Sequence, residues 1–101
     1  MKRKLITVDF DGVVVRETVC RSLKHAREAT PNNKIIKKVN DLFKHAFIVI
    51  YTARQDRFIP ATLEWLRVHN VRYHAFSNLK IPADYYVDDH AMLVKDFLNH
   101  E

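Results

Sequence analysis

The sequence predicts a single α/β domain with a mostly parallel sheet, and two observations lead to that prediction. Short apolar runs typical of buried strands alternate with segments whose apolar residues recur at helical spacing. Such alternation implies right-handed crossovers, with helices on both faces of the sheet. At 101 residues, with 48% hydrophobic and 29% charged residues, the chain has the size and composition of one packed domain.

The first half of the chain begins with a predicted central strand. Residues 5–8 form a β-branched apolar run of the kind buried on both faces of a parallel sheet. Residues 13–15, three consecutive valines after Gly12, are interpreted as a strand continuation or a hairpin. Pro31 then breaks the chain, and the apolar spacing over residues 35–43 predicts an amphipathic helix.

The second half continues the alternation. Residues 47–51 are a continuous apolar run typical of a central strand, and Pro60 is suited to the first turn of the next helix. The remaining predicted elements are a weak strand over residues 71–76, a short strand over residues 85–87 and a helix over residues 91–98.

Composition and charge exclude several classes of protein. Cys20 is the single cysteine, which excludes an intrachain disulfide and a cysteine-rich zinc site. The net charge of +5 comes from basic residues spread along the chain, without the interleaved aromatics of single-strand nucleic-acid binders. Because Asp9 and Asp11 interrupt the first apolar run and no run reaches membrane length, we expect a cytoplasmic protein with no membrane partner.

Polar residues follow the predicted strands at the points where the strands end. In a parallel sheet these carboxyl ends share one edge, and ligands bind just beyond it. The residues that we expect at this edge are Asp9 and Asp11 after the first strand, Thr52 after the second, Lys80 in a loop, and Asp88 and Asp89 after the strand at 85–87. Four separate parts of the chain are therefore predicted to form one site.

The predicted site is rich in carboxylates. Asp9 and Asp11 flank Phe10, so their side chains point to the same side if the backbone is extended. With Asp88, at least three carboxylates meet, and a cation is needed to offset their charge; an all-oxygen ligand set suits Mg²⁺. Lys80 and the Thr52 hydroxyl add hydrogen-bond donors, which favours phosphate as the incoming group.

These residues form four motifs in a familiar order. The motifs are residues 8–12 (VDFDG), residues 51–54 (YTAR), Lys80 and residues 87–89 (VDD). Over nearly its whole length the chain resembles the haloacid dehalogenase superfamily of phosphohydrolases, and in particular its small capless members. The resemblance implies one Rossmann-like domain over residues 1–101, with no cap domain. Residues 13–33 leave room only for the short turn and flap of that family.

The resemblance also implies a role for each motif. Asp9 is the expected nucleophile, which forms an aspartyl-phosphate, and Asp11 is the expected general acid and base. Thr52 and Lys80 are expected to hold the phosphoryl oxygens. The expected ligands of Mg²⁺ are Asp9, the main-chain carbonyl of Asp11, and Asp88, with Asp89 supporting either the metal or Lys80.

Several alternatives stay open at this stage. Arg54 is expected to bind substrate, and the other interpretations of its position are a structural role or a solvated loop arginine. His90 is a candidate for substrate contact because it adjoins Asp89. The expected activity is hydrolysis of a small phosphomonoester. The alternatives are a polynucleotide end-phosphatase, and a phosphate- or nucleic-acid-binding module without turnover. Without a cap, selectivity would come from the flap, Arg54, the loop near Asn78 or a neighbouring subunit, so a homo-oligomer also stays open.

Overall fold

Helices and strands alternate along the part of the chain that the computed structural model describes, residues 4–79 and 85–87. They are β1 (Lys4–Asp9), α1 (Leu23–Glu28), α2 (Asn33–Leu42), β2 (Ala46–Tyr51), α3 (Ile59–Val68), β3 (Ala75–Ser77) and β4 (Tyr85–Val87). A tight turn over Phe10–Val14 follows β1, and a single 3₁₀ turn over Asp56–Phe58 leads into α3.

The four strands form one parallel sheet in the order β3-β2-β1-β4. Val8 of β1 pairs with Ile50 on one side and with Val87 on the other, so three strands end close to one another at the same edge. The chain runs from β1 through β2 to β3 in one direction, and β4 then lies on the other side of β1. A reversal of strand order of this kind marks the edge at which open α/β sheets bind ligands.

The core lies between the central strands and the apolar sides of the helices. Val8 and Ile50 are fully buried, as expected for strands covered on both faces. Helix α2 contributes Ile35 to this core, and α3 contributes Trp65. The Trp65 ring meets the Phe10 ring edge to face, with 5.2 Å between centroids, so α3 packs directly against the turn that follows β1.

The helices begin where the local sequence supplies their caps. The Ser22 hydroxyl accepts a hydrogen bond from the His25 N–H at 3.0 Å, and the Asn32 side chain accepts one from the Ile35 N–H at 3.4 Å. Pro60 lies in the first turn of α3, where its missing N–H costs no helical hydrogen bond. Helices α2 and α3 therefore begin close to the places that the sequence predicts, whereas α1 was not predicted.

The predicted fold class is confirmed: the protein is an α/β domain with a parallel sheet flanked by helices, and the described residues contain no inserted cap. Three local predictions differ from the structure. Helix α1 lies within residues 13–33, which were expected to form only a turn and flap. Residues 13–15 form neither predicted element: Val13 and Val14 belong to the turn, and Val15 makes an isolated antiparallel bridge to Pro31. Strand β3 is shorter than predicted, and the predicted helix over 91–98 lies outside the described residues.

Candidate active site

The turn after β1 brings two acidic residues to the edge of the sheet. Asp11 (φ −70°, ψ 130°) and Gly12 (φ 78°, ψ −4°) have the backbone angles of a type II turn, whose second central position requires positive φ and so favours glycine. The Gly12 N–H donates to the Glu17 carbonyl at 2.7 Å, and the Val15 N–H donates to the Phe10 carbonyl at 3.1 Å. The chain therefore folds back immediately after Asp9.

A cavity of about 260 Å³ lies at this edge, beyond the ends of β1 and β2. Its lining includes Asp9, Asp11, Gly12, Thr18 and Thr52. Three of the predicted site residues, Asp9, Asp11 and Thr52, thus share one cavity at the ends of β1 and β2. A larger cavity of about 670 Å³ adjoins it and shares Thr18 with it.

Thr52 is held at the end of β2 by hydrogen bonds on its backbone and its side chain. Its N–H donates to the Ser77 carbonyl at 3.0 Å, which ties the end of β2 to the end of β3. Its hydroxyl donates to Asp11 Oδ2 at 3.3 Å, a long contact, and accepts from the Arg54 N–H at 3.1 Å. The hydroxyl is therefore directed at Asp11.

Arg54 makes the most extensive contact with Asp11. Its Nε donates to Asp11 Oδ1 at 3.0 Å and to Oδ2 at 3.3 Å, and its Nη2 donates to Oδ1 at 2.9 Å. The Arg54 side chain is 2% exposed and the Asp11 side chain 17% exposed. Two-point contacts of this kind set the orientation of both groups as well as holding them together.

Thr62 on α3 completes the surroundings of the buried guanidinium. Arg54 Nη1 donates to the Thr62 hydroxyl oxygen at 3.0 Å, and that hydroxyl donates its own proton to the Phe58 carbonyl at 2.8 Å. The guanidinium carbon also lies 4.6 Å from the centre of the Phe10 ring. A buried charge is costly unless it is paired and hydrogen-bonded, and these contacts meet both requirements.

The structure brings together four of the predicted site residues: Asp9, Asp11, Thr52 and Arg54. The donors of Arg54 contact Asp11 and Thr62, so its predicted contact with substrate stays a prediction. The other predicted residues, Lys80, Asp88, Asp89 and His90, lie outside the described residues. Thr62 was not identified from the sequence. The one feature that could have indicated a buried hydroxyl is its position three residues before Trp65, on the same side of a helix.

The described residues supply part of the predicted metal site. Within residues 4–79 and 85–87, no group of three or more histidine, cysteine or acidic residues is placed to hold a metal ion. Asp9 and Asp11 line the cavity and offer oxygen atoms alone, which fits the ligand chemistry of Mg²⁺. The remaining predicted ligands, Asp88 and Asp89, are outside the described residues.

Glu17 holds in place the segment that contains Thr18, a residue of the cavity wall. Its carboxylate accepts hydrogen bonds from the Thr30 hydroxyl at 2.7 Å and from the Thr30 N–H at 2.8 Å. The bond from the hydroxyl, followed by the bond from the backbone, lowers the pKa of Glu17 below its usual value of 4.5. The ionised form of Glu17 therefore ties this segment to the start of α2.

Comparison with known proteins supports the fold without defining a family. No protein-family model matches the chain, and no curated protein matches it. Among solved structures, a conserved protein from Bacteroides thetaiotaomicron is similar, with a TM-score of 0.68 and 19% sequence identity. The match covers 88% of this chain and 78% of that protein, and at this identity it shows a shared α/β fold.

A helix that crosses a bilayer needs about 20 predominantly apolar residues. No helix in residues 4–79 combines the length and the apolar character needed to cross one.

Proposed function

We propose that this chain is a magnesium-dependent phosphohydrolase of the haloacid dehalogenase type, which cleaves a phosphomonoester through an aspartyl-phosphate on Asp9. The observation that carries the proposal is the shared cavity of Asp9, Asp11 and Thr52 beyond the carboxyl ends of the parallel strands. This is the edge at which α/β sheets bind ligands. The order of the sequence motifs supports the same chemistry.

The proposed reaction has two displacements at phosphorus. A carboxylate oxygen of Asp9 attacks phosphorus while the bond to the leaving oxygen breaks, and Asp11 gives that oxygen a proton. A water molecule then attacks the phosphorus of the aspartyl-phosphate. Asp11 takes a proton from this water, the bond to Asp9 breaks, and inorganic phosphate leaves.

The other residues of the site stabilise charge in this scheme. The Thr52 hydroxyl donates to Asp11 at 3.3 Å, and with substrate bound it would turn to donate to a phosphoryl oxygen instead. Asp9 and the main-chain carbonyl of Asp11 are the described atoms proposed to hold Mg²⁺, with Asp88 and Asp89 as further proposed ligands. When bound, Mg²⁺ would offset the repulsion between the Asp9 carboxylate and the phosphoryl group.

A small phosphomonoester is the proposed substrate. The 260 Å³ cavity suits a phosphoryl group, and the 670 Å³ cavity that shares Thr18 with it would take the rest of the substrate. Arg21 and Lys24 line the larger cavity together with Glu17 and Glu28. Because positive and negative side chains are mixed there, it does not resemble the continuous cationic groove that binds a nucleic-acid backbone.

A polynucleotide end is the second candidate, and the net charge of +5 favours it. A binding module without turnover is a weaker third, because it would not need both Asp9 and Asp11.

A substrate screen tests the proposal. Release of inorganic phosphate would be followed with Mg²⁺ over sugar phosphates, mononucleotides and phosphorylated oligonucleotides, with Asp9→Asn as the matched control. We expect release from a small ester that EDTA and Asp9→Asn both abolish. Full activity in EDTA would show that the reaction needs no metal ion. Absence of phosphate release from every ester would reject the proposed phosphohydrolase activity. Fastest turnover of an oligonucleotide end, with affinity falling about 10³-fold between low and moderate salt, would favour the second candidate.

A further inference from the structure

We propose that Arg54 is a positioning residue that holds Asp11 in its working orientation, and that it does not bind substrate. This inference rests on the proposed function, because Asp11 is the proposed general acid and base. Among the described residues Asp11 lines the cavity and Arg54 does not. The guanidinium lies behind Asp11, and 2% of the Arg54 side chain is exposed.

The direction of the Arg54 donors supports this role. A guanidinium has five N–H groups in a rigid plane and no acceptor. Nε and Nη2 donate to Asp11, and Nη1 donates to Thr62, so the guanidinium is hydrogen-bonded along two of its edges. The Phe10 ring lies 4.6 Å from the guanidinium carbon. The orientation of Arg54 is therefore set by three neighbours, two in the turn after β1 and one on α3.

Thr62 can only accept a hydrogen bond from Arg54. Its single hydroxyl proton goes to the Phe58 carbonyl, so only its oxygen lone pairs are available to Arg54. Thr62 is fully buried on α3, a helix that packs against the turn carrying Asp11. A line of hydrogen bonds thus runs from the Phe58 carbonyl, at the end of the 3₁₀ turn before α3, through Thr62 and Arg54 to the Asp11 carboxylate.

This arrangement matters because Asp11 has to exchange protons with oxygen atoms in the cavity. Arg54 contacts both carboxylate oxygens of Asp11, which restricts rotation of the carboxylate. The 17% exposure of the side chain leaves it accessible from the cavity. Displacement of a reacting group by about 1 Å can lower a rate about 10²-fold.

Kinetics of Arg54→Lys distinguish positioning from substrate binding. Lysine keeps the charge, but one ammonium group cannot bridge both Asp11 oxygens and Thr62. We expect kcat to fall about 10²-fold with KM nearly unchanged. The loss should be larger for an alkyl phosphate than for p-nitrophenyl phosphate, whose leaving group needs little help from a general acid. A raised KM with native kcat would instead identify a substrate ligand and overturn the proposal.

A matched pair at Thr62 keeps the test valid if Arg54→Lys does not fold. Thr62→Val removes the acceptor for Arg54 and nearly preserves side-chain shape, whereas Thr62→Ser retains the hydroxyl. We expect a lower kcat for Thr62→Val, with the same dependence on leaving group, and near-native kcat for Thr62→Ser. Equal kcat values for the two variants would contradict the proposal.

A double variant and a contact measurement complete the experiment. If Arg54 acts through Asp11, adding Arg54→Lys to Asp11→Asn should cause little further loss, whereas multiplied losses would mean that the two act separately. The Arg54 Nε–H resonance in NMR should be protected from solvent exchange and should shift in Asp11→Ala; an unchanged resonance would disprove the pairing whatever the activity. A wild-type protein that hydrolyses no ester would reject the proposed function, whereas an active wild type with native kcat in Arg54→Lys would reject only the role of Arg54.

Discussion

Polar side chains form hydrogen-bonded networks at two places in the fold, and the networks differ in what they connect. Beyond the carboxyl ends of the strands, Arg54 joins Asp11 to Thr62, so side chains from three segments contact one another directly. Before the start of β3, Asn40 donates to the Asn70 carbonyl at 3.0 Å and accepts from the Arg72 N–H at 2.8 Å.

The network before β3, in which side chains bond to the backbone, also includes a histidine. The Ile48 N–H donates to His74 Nδ1 at 3.0 Å, and the His74 ring stacks on Phe47 with 4.9 Å between centroids. Each of these bonds joins a side chain to a backbone group, so the network determines the path of the loop between α3 and β3. The Asp11 network instead orients a carboxylate that lines a cavity. Loss of the Asp11 network should therefore change catalysis. Loss of the network before β3 should change stability alone.

Among the substitutions that compare the two networks, the largest effect is expected for Asp11→Asn. The substitution removes the proposed general acid and base, for which we expect a loss of about 10²- to 10⁴-fold in kcat. It also leaves the buried Arg54 without its counter-charge. Loss of one partner of a fully buried pair costs about 3–5 kcal/mol, and the partial exposure of Asp11 places its cost below that range. Phosphate release and urea unfolding measure the two effects.

Asp41→Asn is the matched control for this prediction. Asp41 pairs with Lys37 at 3.0 Å on the surface of α2, where both side chains are mostly exposed. We expect native kcat and a change in the free energy of unfolding below about 0.5 kcal/mol. Equal destabilisation by the two substitutions would mean that burial of the Arg54 and Asp11 pair has no energetic consequence.

Asn40→Ala should affect stability and leave catalysis unchanged. It removes two hydrogen bonds to the loop before β3 and should lower the free energy of unfolding by about 1 kcal/mol, because the site is only partly buried. Asn33→Ala, at the exposed start of α2, is the control and should cost less. A large fall in kcat for a folded Asn40→Ala protein would break the distinction between the two networks.

The smallest effect is expected for Glu17, which combines features of the two networks. Its pKa is lowered by hydrogen bonds from Thr30, so its stabilising contribution is present above pH 4.5 and is lost as the pH falls through the lowered pKa. The advantage of the wild type over Glu17→Gln in urea unfolding should therefore shrink on acidification. Because Glu17 is exposed, the difference should be small. An advantage that stays constant down to acidic pH would show that the carboxylate bonds do not stabilise the fold.

The sequence was most informative where burial is continuous. Strands β1 and β2 are apolar along most of their length, and α2 has a clear apolar side, so all three were predicted close to their observed positions. Helix α1 was missed because Ala26 is its one buried residue, which leaves no apolar periodicity to detect. Strand β3 has three residues, too few for a strong pattern.

The sequence also predicted the part of the site that follows directly from the strands. Asp9, Asp11 and Thr52 follow strands, and parallel strands bring their carboxyl ends to one edge. The pairing of Arg54 with Asp11 and Thr62 depends on the geometry of the Gly12 turn and on the rotation of α3 about its axis. Those are properties of tertiary packing, which residue spacing does not encode.

The most direct test of the account is detection of a phosphoryl group on Asp9 during turnover. The protein would be mixed with Mg²⁺ and its best substrate, quenched in acid within one turnover, digested and analysed by mass spectrometry. We expect one phosphoryl group on the peptide that contains Asp9, removed by hydroxylamine and absent from Asp9→Asn, which should remain folded without turnover. Near-native phosphate release by Asp9→Asn would contradict the central claim, because it would show hydrolysis without a covalent intermediate on Asp9.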